Sequence, residues 1–586
     1  MTRLISFTAV TLFALRVSAA SSIESLLTNT PAEKSTILVD PYKFPDTDVR
    51  KYNPFLSESE VSAYPGGNAC NSIDDGQICR DRPAYGSGVH YLNTPVNGNT
   101  FPFPVWISHT DRGPNQDCEE LGENPNYNQG TEWEGRVGKG FPIPRFAPSV
   151  FSWTLDSNGV KLIKNFSLKK SNGDQILGRS NTGNDDVNYG EACRGNTLPL
   201  TPDGIDFEDI HPHPDGIHFW GSDEYSPSVF IFDASGKVKL RLVPNHPVLA
   251  NLTTASAGYP IKKILPSVLV SRRQNRGFEN LAVSYDGKTL WAVLQSPMGN
   301  KSLDEIKPSI VIRAVKVDIS DINNPKYVGL YAFEGSKPEE YTVGKKIKPA
   351  DLKFSAGQYL GGGQILLLER ADNAGLKLYV VDFSRATNLK GSIHESDVTL
   401  EKTRTGEADF GIKYATKKKV FDSDDIEGGD KYFTKMEGVA ILSPTVVATV
   451  TDNDFGLNQG GRSQVDLLHL TSKLPHVKDV VLPKSYQKHS TCAFKTCAGK
   501  SCFHVLPGLA DNALAKDACE LYGGKLAATS LINLKAVLSG AAKGKIVWVG
   551  GSKVGYGVVL KSGKLWWSSA ANKYSALCEV PKPANC

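Results

Sequence analysis

The chain has 586 residues, 40% of them hydrophobic, with 54 glycines, 34 prolines and a formal net charge of +4. It is long enough to bury several cores or one large repeat fold, and its charge is too small for a nucleic-acid-binding surface. Helix-period patterns are scarce before the C-terminal region, and the glycines and prolines are as numerous as a turn-rich β protein requires.

In chain order, residues 1–20 read as a secretory signal: Arg3, an apolar stretch from Leu4 to Leu15, then Ser18, Ala19 and Ala20. No later segment is long and apolar enough to span a bilayer, so the expected localisation is secreted and extracellular, with no membrane span. Residues 21–99 read as a leader followed by an irregular wrap or partial blade. Val105 to Asn115 is a strand running into a polar turn that carries Asp111 and Arg112. Cys118 to Arg145 is a long loop, which a Cys118–Cys193 bridge would pin. Phe146 to Phe166 is a hairpin turning at 156–159.

A repeated grammar then begins. Arg276 to Pro297, RGFENLAVSYDGKTLWAVLQSP, puts Glu279 ahead of a short apolar run, Asp286-Gly287 in a turn, and a second apolar run that closes on Gln295-Ser296. Asp206 to Phe232 has the same order, with Glu208 first, Asp215-Gly216 in the turn and Asp223-Glu224 at the close. Asp351 to Phe383 and Met436 to Gly456 repeat it. The acidic starts at 208, 279, 351 and 437 step by 71, 72 and 86 residues. Modules of about four strands that begin and end on equivalent polar groups fit a mainly β fold, a β-propeller of about six blades over residues 100–483.

Ten cysteines agree with an oxidising compartment. They fall into an early group of four and a late group of six, and the even counts suit pairing within each group. Asn165, Asn251 and Asn300 each head an Asn-x-Ser/Thr sequon, candidate glycosylation sites in a secreted protein.

DRGPN at 111–115, DGIDFEDI with WGSDEYSPSVFIFD at 203–233, RGFENLAVSYDGKTLWAVLQSP, LLLER at 366–370, and MEGVA with TDNDFG together resemble the phytase-like family, the "esterase-like activity of phytase" group. The resemblance covers roughly residues 100–482. It implies a propeller and a hydrolase label, with a poorly defined substrate.

The residues themselves bring carboxylates to strand ends: Asp111, Glu208, Asp223, Glu224, Glu279, Glu369, Glu437, Asp452 and Asp454. In a radial repeat these ends converge on one channel mouth, where cations or arginines must neutralise them. Arg112, Arg276 and Arg370 supply part of that charge. Hard oxygen ligands without a Cys or His cluster favour Ca²⁺ as cofactor. The expected ligands are Asp111, Asp223, Glu224, Glu369, Glu437, Asp452 and Asp454. Glu279 or Glu208 would position water, and Arg112 and Arg370 would clamp substrate oxygens. The same glutamates also suit a structural role, bonding backbone amides of the neighbouring blade. Asp-Gly at 215 and 286 is turn chemistry, and His211, His213 and His218 straddle a rigid His-Pro-His-Pro loop. No Gly-x-Ser-x-Gly elbow is present, which argues against a serine esterase.

From Lys484 onward fourteen lysines stand against four acids, a net +10 that leaves −6 for the rest and marks a separate domain over 484–586. Ala513 to Tyr522 has helical spacing, and WVGGS, Trp566-Trp567 and ALCEV follow. This part resembles a small, disulfide-linked α+β C-type lectin-like domain, which implies a Cys519–Cys578 pair. Its Glu-Pro-Asn and Trp-Asn-Asp calcium signatures are missing. The lysines fit an acidic glycan or cell-wall polymer as partner, or a plain solvated surface.

The expected function is a secreted hydrolase, with metal-assisted hydrolysis of a phosphate ester or another small anionic ester. The alternatives are a non-catalytic propeller that binds glycan or protein, and a lactonase-like hydrolase.

Overall fold

The computed structural model describes residues 30–38, 41–72, 78–92, 105–118, 136–156, 158–181, 186–190, 193, 195–299, 309–402, 410–457, 461–478, 496–498, 501–528, 546–553, 556–561 and 564–581. The expected signal segment 1–20, Asn300, Cys492 and Cys586 lie outside them.

Five four-stranded units share one axis. Blade I is Gly88–Tyr91, Trp106–His109, Ser149–Asp156 and Gly159–Ser167. Blade II is Phe207–Pro212, His218–Asp223, Ser228–Asp233 and Val238–Pro244, with Ile261–Leu265 added in parallel at its edge. Blade III is Phe278–Val283, Thr289–Leu294, Val311–Asp318 and Lys326–Glu334. Blade IV is Lys353–Gly361, Gln364–Ala371, Gly375–Asp382 and Thr416–Asp422. Blade V is Met436–Ile441, Val446–Thr451 and Gln464–His469, and its fourth strand comes from the other end of the chain, Thr36–Ile37 pairing with Leu468 and His469. That pairing closes the ring and leaves no free sheet edge at the seam.

The propeller therefore has five blades among the described residues, against the expected six or so. Blade I starts at Gly88, inside the stretch 21–99 expected to be a leader followed by an irregular wrap or partial blade. The repeat spacing hides this, because a small sheet is inserted, with Gln116–Asp117 and Lys139–Phe141 between the second and third strands of blade I and Asn188–Gly190 and Thr197–Leu198 between blades I and II, and it lengthens the interval between the two blades. The Cys118–Cys193 disulfide ties that insertion together. A Cys70–Cys79 bridge lies in the N-terminal wrap.

Strand periodicity fills the gaps between blades. Along the innermost strand of blade V, Val439 and Ile441 pack toward blade IV while Ala440 packs toward blade I. In blade III, Leu281 and Val283 face blade II and Ala282 faces blade IV. Apolar side chains on both faces of each sheet give five inter-blade cores, which explains strands that read as continuous apolar runs.

The five inner strands meet closely at the axis through a buried polar knot. Asp209 of blade II accepts hydrogen bonds from Leu281 N of blade III at 2.8 Å and from Gly357 N of blade IV at 3.3 Å. His211 Nε2 lies 2.9 Å from Gly357 O. The Gln358 amide donates to Val439 O of blade V at 2.9 Å and to Val89 O of blade I at 3.3 Å. Such proximity needs glycine: a Cβ on Gly357 would sit 2.6 Å from Leu281 O, and one on Gly438 2.8 Å from Val89 Cγ1.

The C-terminal part is a seven-stranded sheet with one helix, Asn512–Leu521, whose N-cap Asp511 accepts from Leu514 N. Cys519 on this helix is disulfide-bonded to Cys578. Its apolar side chains, Leu506, Ala518, Leu521 and Tyr522 among them, join the core between blades I and II. Tyr522 donates to Gly216 O and Gly508 N to Asp215 O, each at 2.8 Å, so this part sits at the turn joining the first two strands of blade II.

Candidate functional site at the propeller mouth

The inner strands of blades II, III, IV and V each carry a large apolar residue at their first or second position, followed by a register shift: Phe207, Phe278, Phe354 and Met436. A β-bulge at a strand start re-aims the side chain next to it. The residues at that next position are Glu208, Glu279, Ser355 and Glu437, so the repeat carries one chemistry-bearing residue per blade to the mouth, with serine replacing the acid in blade IV. Asp351, the third acidic start of the sequence repeat, instead accepts from Lys348 N in the turn before blade IV.

On the blade II side, Asp206, Glu208 and Glu224 bring one carboxylate oxygen each to within 4.8 Å of one another, all three residues being buried. Arg112 braces them. Its guanidinium lies 2.9 Å from Asp206 and 3.9 Å from Glu224, and its backbone N donates to Asp206 at 3.2 Å. Arg276 also lies near Glu224, and two cations do not offset three buried carboxylates. Burial first, and then the neighbouring acids, push the Glu208 and Glu224 carboxyls well above the usual range. Glu224 Oε1 is buried with no hydrogen-bond partner among the described residues.

Glu279 stands next in the ring. Burial, followed by the negative charge of Glu437, pushes it up to about 7, and its Oε2 also lacks a partner among the described residues. Beyond it cations stand among the acids. Arg370 donates to Ser355 at 2.9 Å and pairs with Asp372 and Glu437. Lys353 pairs with Asp372 at 2.6 Å, and burial with the nearby arginines lowers it to about 8. Arg276 donates to Ser296 at 2.8 Å. Lys435 lies 3.5 Å from Glu437 and 3.0 Å from Asp454, and Asp454 N donates to Asp452 at 2.8 Å. Asp111, raised to about 8 by burial and then by Asp206, joins the two halves. Backbone strain gathers at the same end: Asn275, Lys435, Asp454 and Phe455 all have positive φ.

The structure thus divides the expected ligand set. Glu224 joins Glu208 and Asp206 in one cluster. Glu437, Asp452 and Asp454 form a second group, in which Lys435 and Arg370 pair with Glu437 and Lys435 with Asp454, while burial and the neighbouring acids push Asp452 well above the usual range. Asp223 is engaged by Arg241, by Ser228 at 2.6 Å and by Asp206 N at 2.9 Å, so it supports the cluster from behind. Glu369 is turned away, accepting from Ser336 N at 2.8 Å and Tyr341 at 3.0 Å between blades III and IV. Neither fits the expected ligand role. Arg112 and Arg370, expected as substrate clamps, hold carboxylates instead. Asp206 was missed although DFEDI carries it two positions before Glu208, the spacing that returns a strand side chain to the same face. Lys353 and Lys435 had no sequence signal. Of the described sequon residues, Asn251 is exposed and Asn165 is half-buried in blade I.

The family model described as "Phytase-like: Esterase-like activity of phytase" matches residues 147–455, more than half of the chain. The chain belongs to the phytase-like family. The matched region of this phytase-like chain holds every mouth residue above except Asp111 and Arg112. It is 28% identical over 230 residues to a protein of Arthroderma benhamiae named "Uncharacterized secreted protein", covering 37% of this chain and 41% of that one. The match therefore spans about two fifths of that relative's length. Among solved structures, the phytase-like chain is similar to the periplasmic gluconolactonase PpgL of Pseudomonas aeruginosa, with 11% identity, 76% of this chain and 100% of that one covered, and a TM-score of 0.26. It is also similar to the PQQ-bound aldose sugar dehydrogenase of Streptomyces coelicolor, with 9% identity, 75% and 100% covered, and a TM-score of 0.27.

Proposed function

We propose that this phytase-like protein is a secreted hydrolase that cleaves a phosphate ester, or another small anionic ester, at the propeller mouth with the help of a hard divalent cation, Ca²⁺ above all. The observation that carries this reading is the buried cluster of Asp206, Glu208 and Glu224, which offers three carboxylate oxygens and no soft ligand. Unpaired carboxylates at that depth are costly, and a bound cation offsets the cost. When bound, Ca²⁺ would supply positive charge to neutralise and polarise the ester oxygens.

The chain's own residues supply the rest. Glu279, with its carboxyl near 7, takes a proton from the attacking water around neutral pH. Arg276, between Glu224 and Glu279, and Lys353 beyond them offer positive charge suited to the anionic part of the substrate. Water adds to the ester centre, the bond to the leaving alcohol breaks, and the proton held by Glu279 passes to the departing oxygen. Arg112 and Arg370 keep the carboxylates in place. The disulfides and the secreted Arthroderma relative support an extracellular location.

The test is calcium titration calorimetry on the full chain. One strong site is expected in the wild type, weakened at least tenfold in Glu224→Gln and Asp206→Asn. Equal affinity in those variants would remove the cluster from the reading.

A further inference from the structure

The inner strands that begin at the acidic mouth end in a second cavity. Pro212 closes the strand that starts next to Glu208, and Val283 closes the one that carries Glu279. Here a cavity of about 280 Å³ is lined by His90, His211, Pro212, Val283, Ser284 and Tyr285 of the propeller and by His504 and Pro507 of the C-terminal part. Its volume equals that of roughly nine liquid waters, room for one six-membered ring with its substituents.

The chemistry of the lining is narrow. Among the described residues, no Asp, Glu, Lys or Arg lines it. His90 is 4% exposed, and its Nδ1 is buried with no hydrogen-bond partner among the described residues. Burial and the adjacent His211 drive the His90 imidazole well below its ordinary value, which keeps it neutral. His211 has its Nε2 against Gly357 O at 2.9 Å, so that nitrogen carries a proton. The rings of His90 and His211 lie 4.8 Å apart, edge to face. Leu92, Pro212, Pro214, Val283 and Pro507 add flat aliphatic surface. Among the described residues only Asp206, Glu208 and Glu224 bring three ligand atoms within 4.8 Å of one another, so the three imidazoles here do not converge as metal ligands.

We propose that this cavity binds a neutral, hydroxyl-bearing ring compound of monosaccharide size, held between the propeller and the C-terminal part by His90, His211 and His504. A hydroxyl group donates and accepts, so it satisfies the buried His90 Nδ1 in either tautomer. The C–H face of such a ring suits the prolines, and the uncharged lining gives a charged ligand nothing to pair with. Because residues from both parts of the chain line the cavity, an occupant also strengthens their docking.

The experiment uses the full chain and titrates D-glucose, N-acetyl-D-glucosamine and D-gluconate, read by saturation-transfer NMR and by melting temperature. At least one neutral sugar is expected to bind ten times tighter than gluconate and to raise the melting temperature. His90→Phe, which fills the cavity, is expected to abolish binding. His504→Ala, at the cavity wall and outside the propeller core, is expected to weaken it at least tenfold and serves if His90→Phe does not fold. Glu208→Gln at the opposite end is expected to bind the sugar as the wild type does. The proposal is overturned if no neutral sugar binds, if gluconate binds equally well, if both histidine variants bind normally, or if Glu208→Gln loses the sugar. A Zn²⁺ signal lost in the histidine variants, without sugar binding, would overturn it in favour of a metal site.

Discussion

Arg112 lies 2.9 Å from Asp206, a contact between the loop after the second strand of blade I and the residue that leads into blade II. It is a buried ion pair that also fixes the entry angle of Glu208, two residues on. Removing one partner of such a pair leaves a charge uncompensated, at a cost of about 3–5 kcal/mol. Arg112→Met is therefore expected to lose that much stability in urea unfolding, with part regained in excess calcium. A loss under about 0.5 kcal/mol would show that Arg112 does not brace the cluster.

The acidic mouth gives the metal-free protein a characteristic pH dependence. Asp111 and Glu279 have folded-state carboxyls raised to about 8 and about 7, above the unfolded values. The native state holds their protons more tightly. Their contribution to stability is fully present below the ordinary carboxyl range and is lost as pH rises through about 7 to 8. In chelator, the melting temperature is expected to fall between pH 6 and pH 8.5, and calcium should flatten or reverse that slope. A melt in chelator that rises over this window would contradict the assignment.

Close packing at the axis makes a separate prediction. Gly357→Ala places a methyl group 2.6 Å from Leu281 O and presses on the backbone beside the Asp209 knot. It is expected to cost about 1–3 kcal/mol. Gly190→Ala, whose Cβ would meet nothing closer than 3.8 Å, is expected to be nearly neutral. Denaturant midpoints of the two variants measure the difference. Equal midpoints would mean the axis can open.

Much of this architecture was legible because it repeats. The Glu-led strand pairs at 207–223, 278–294 and 436–451 stand where the apolar runs put them, with Asp-Gly turns in the first two. Asp215 and Asp286 do turn chemistry, each bonding backbone amides two or three residues on. Blade I was blurred because an insertion and a disulfide interrupt its spacing to blade II. The strand Thr36–Ile37 was invisible because two residues carry no periodicity. At the mouth, carboxylates could be counted from sequence but not sorted. Whether an acid faces a cation or another acid depends on contacts such as Asp223 with Arg241 and Glu437 with Arg370, 18 and 67 residues apart. Asp206 was within reach, since it lies two residues from Glu208 on an extended segment.

The central claim is that the cluster of Asp206, Glu208 and Glu224 supports cation-dependent ester hydrolysis. The direct measurement is phosphate release from an aryl phosphate by the full chain in calcium and in chelator, for the wild type, Glu208→Gln and Glu279→Gln. The account predicts release in calcium, its loss in chelator and in Glu208→Gln, and a fall of about 10²–10⁴-fold in Glu279→Gln. Release unchanged by chelator, or retained in Glu208→Gln, would contradict it.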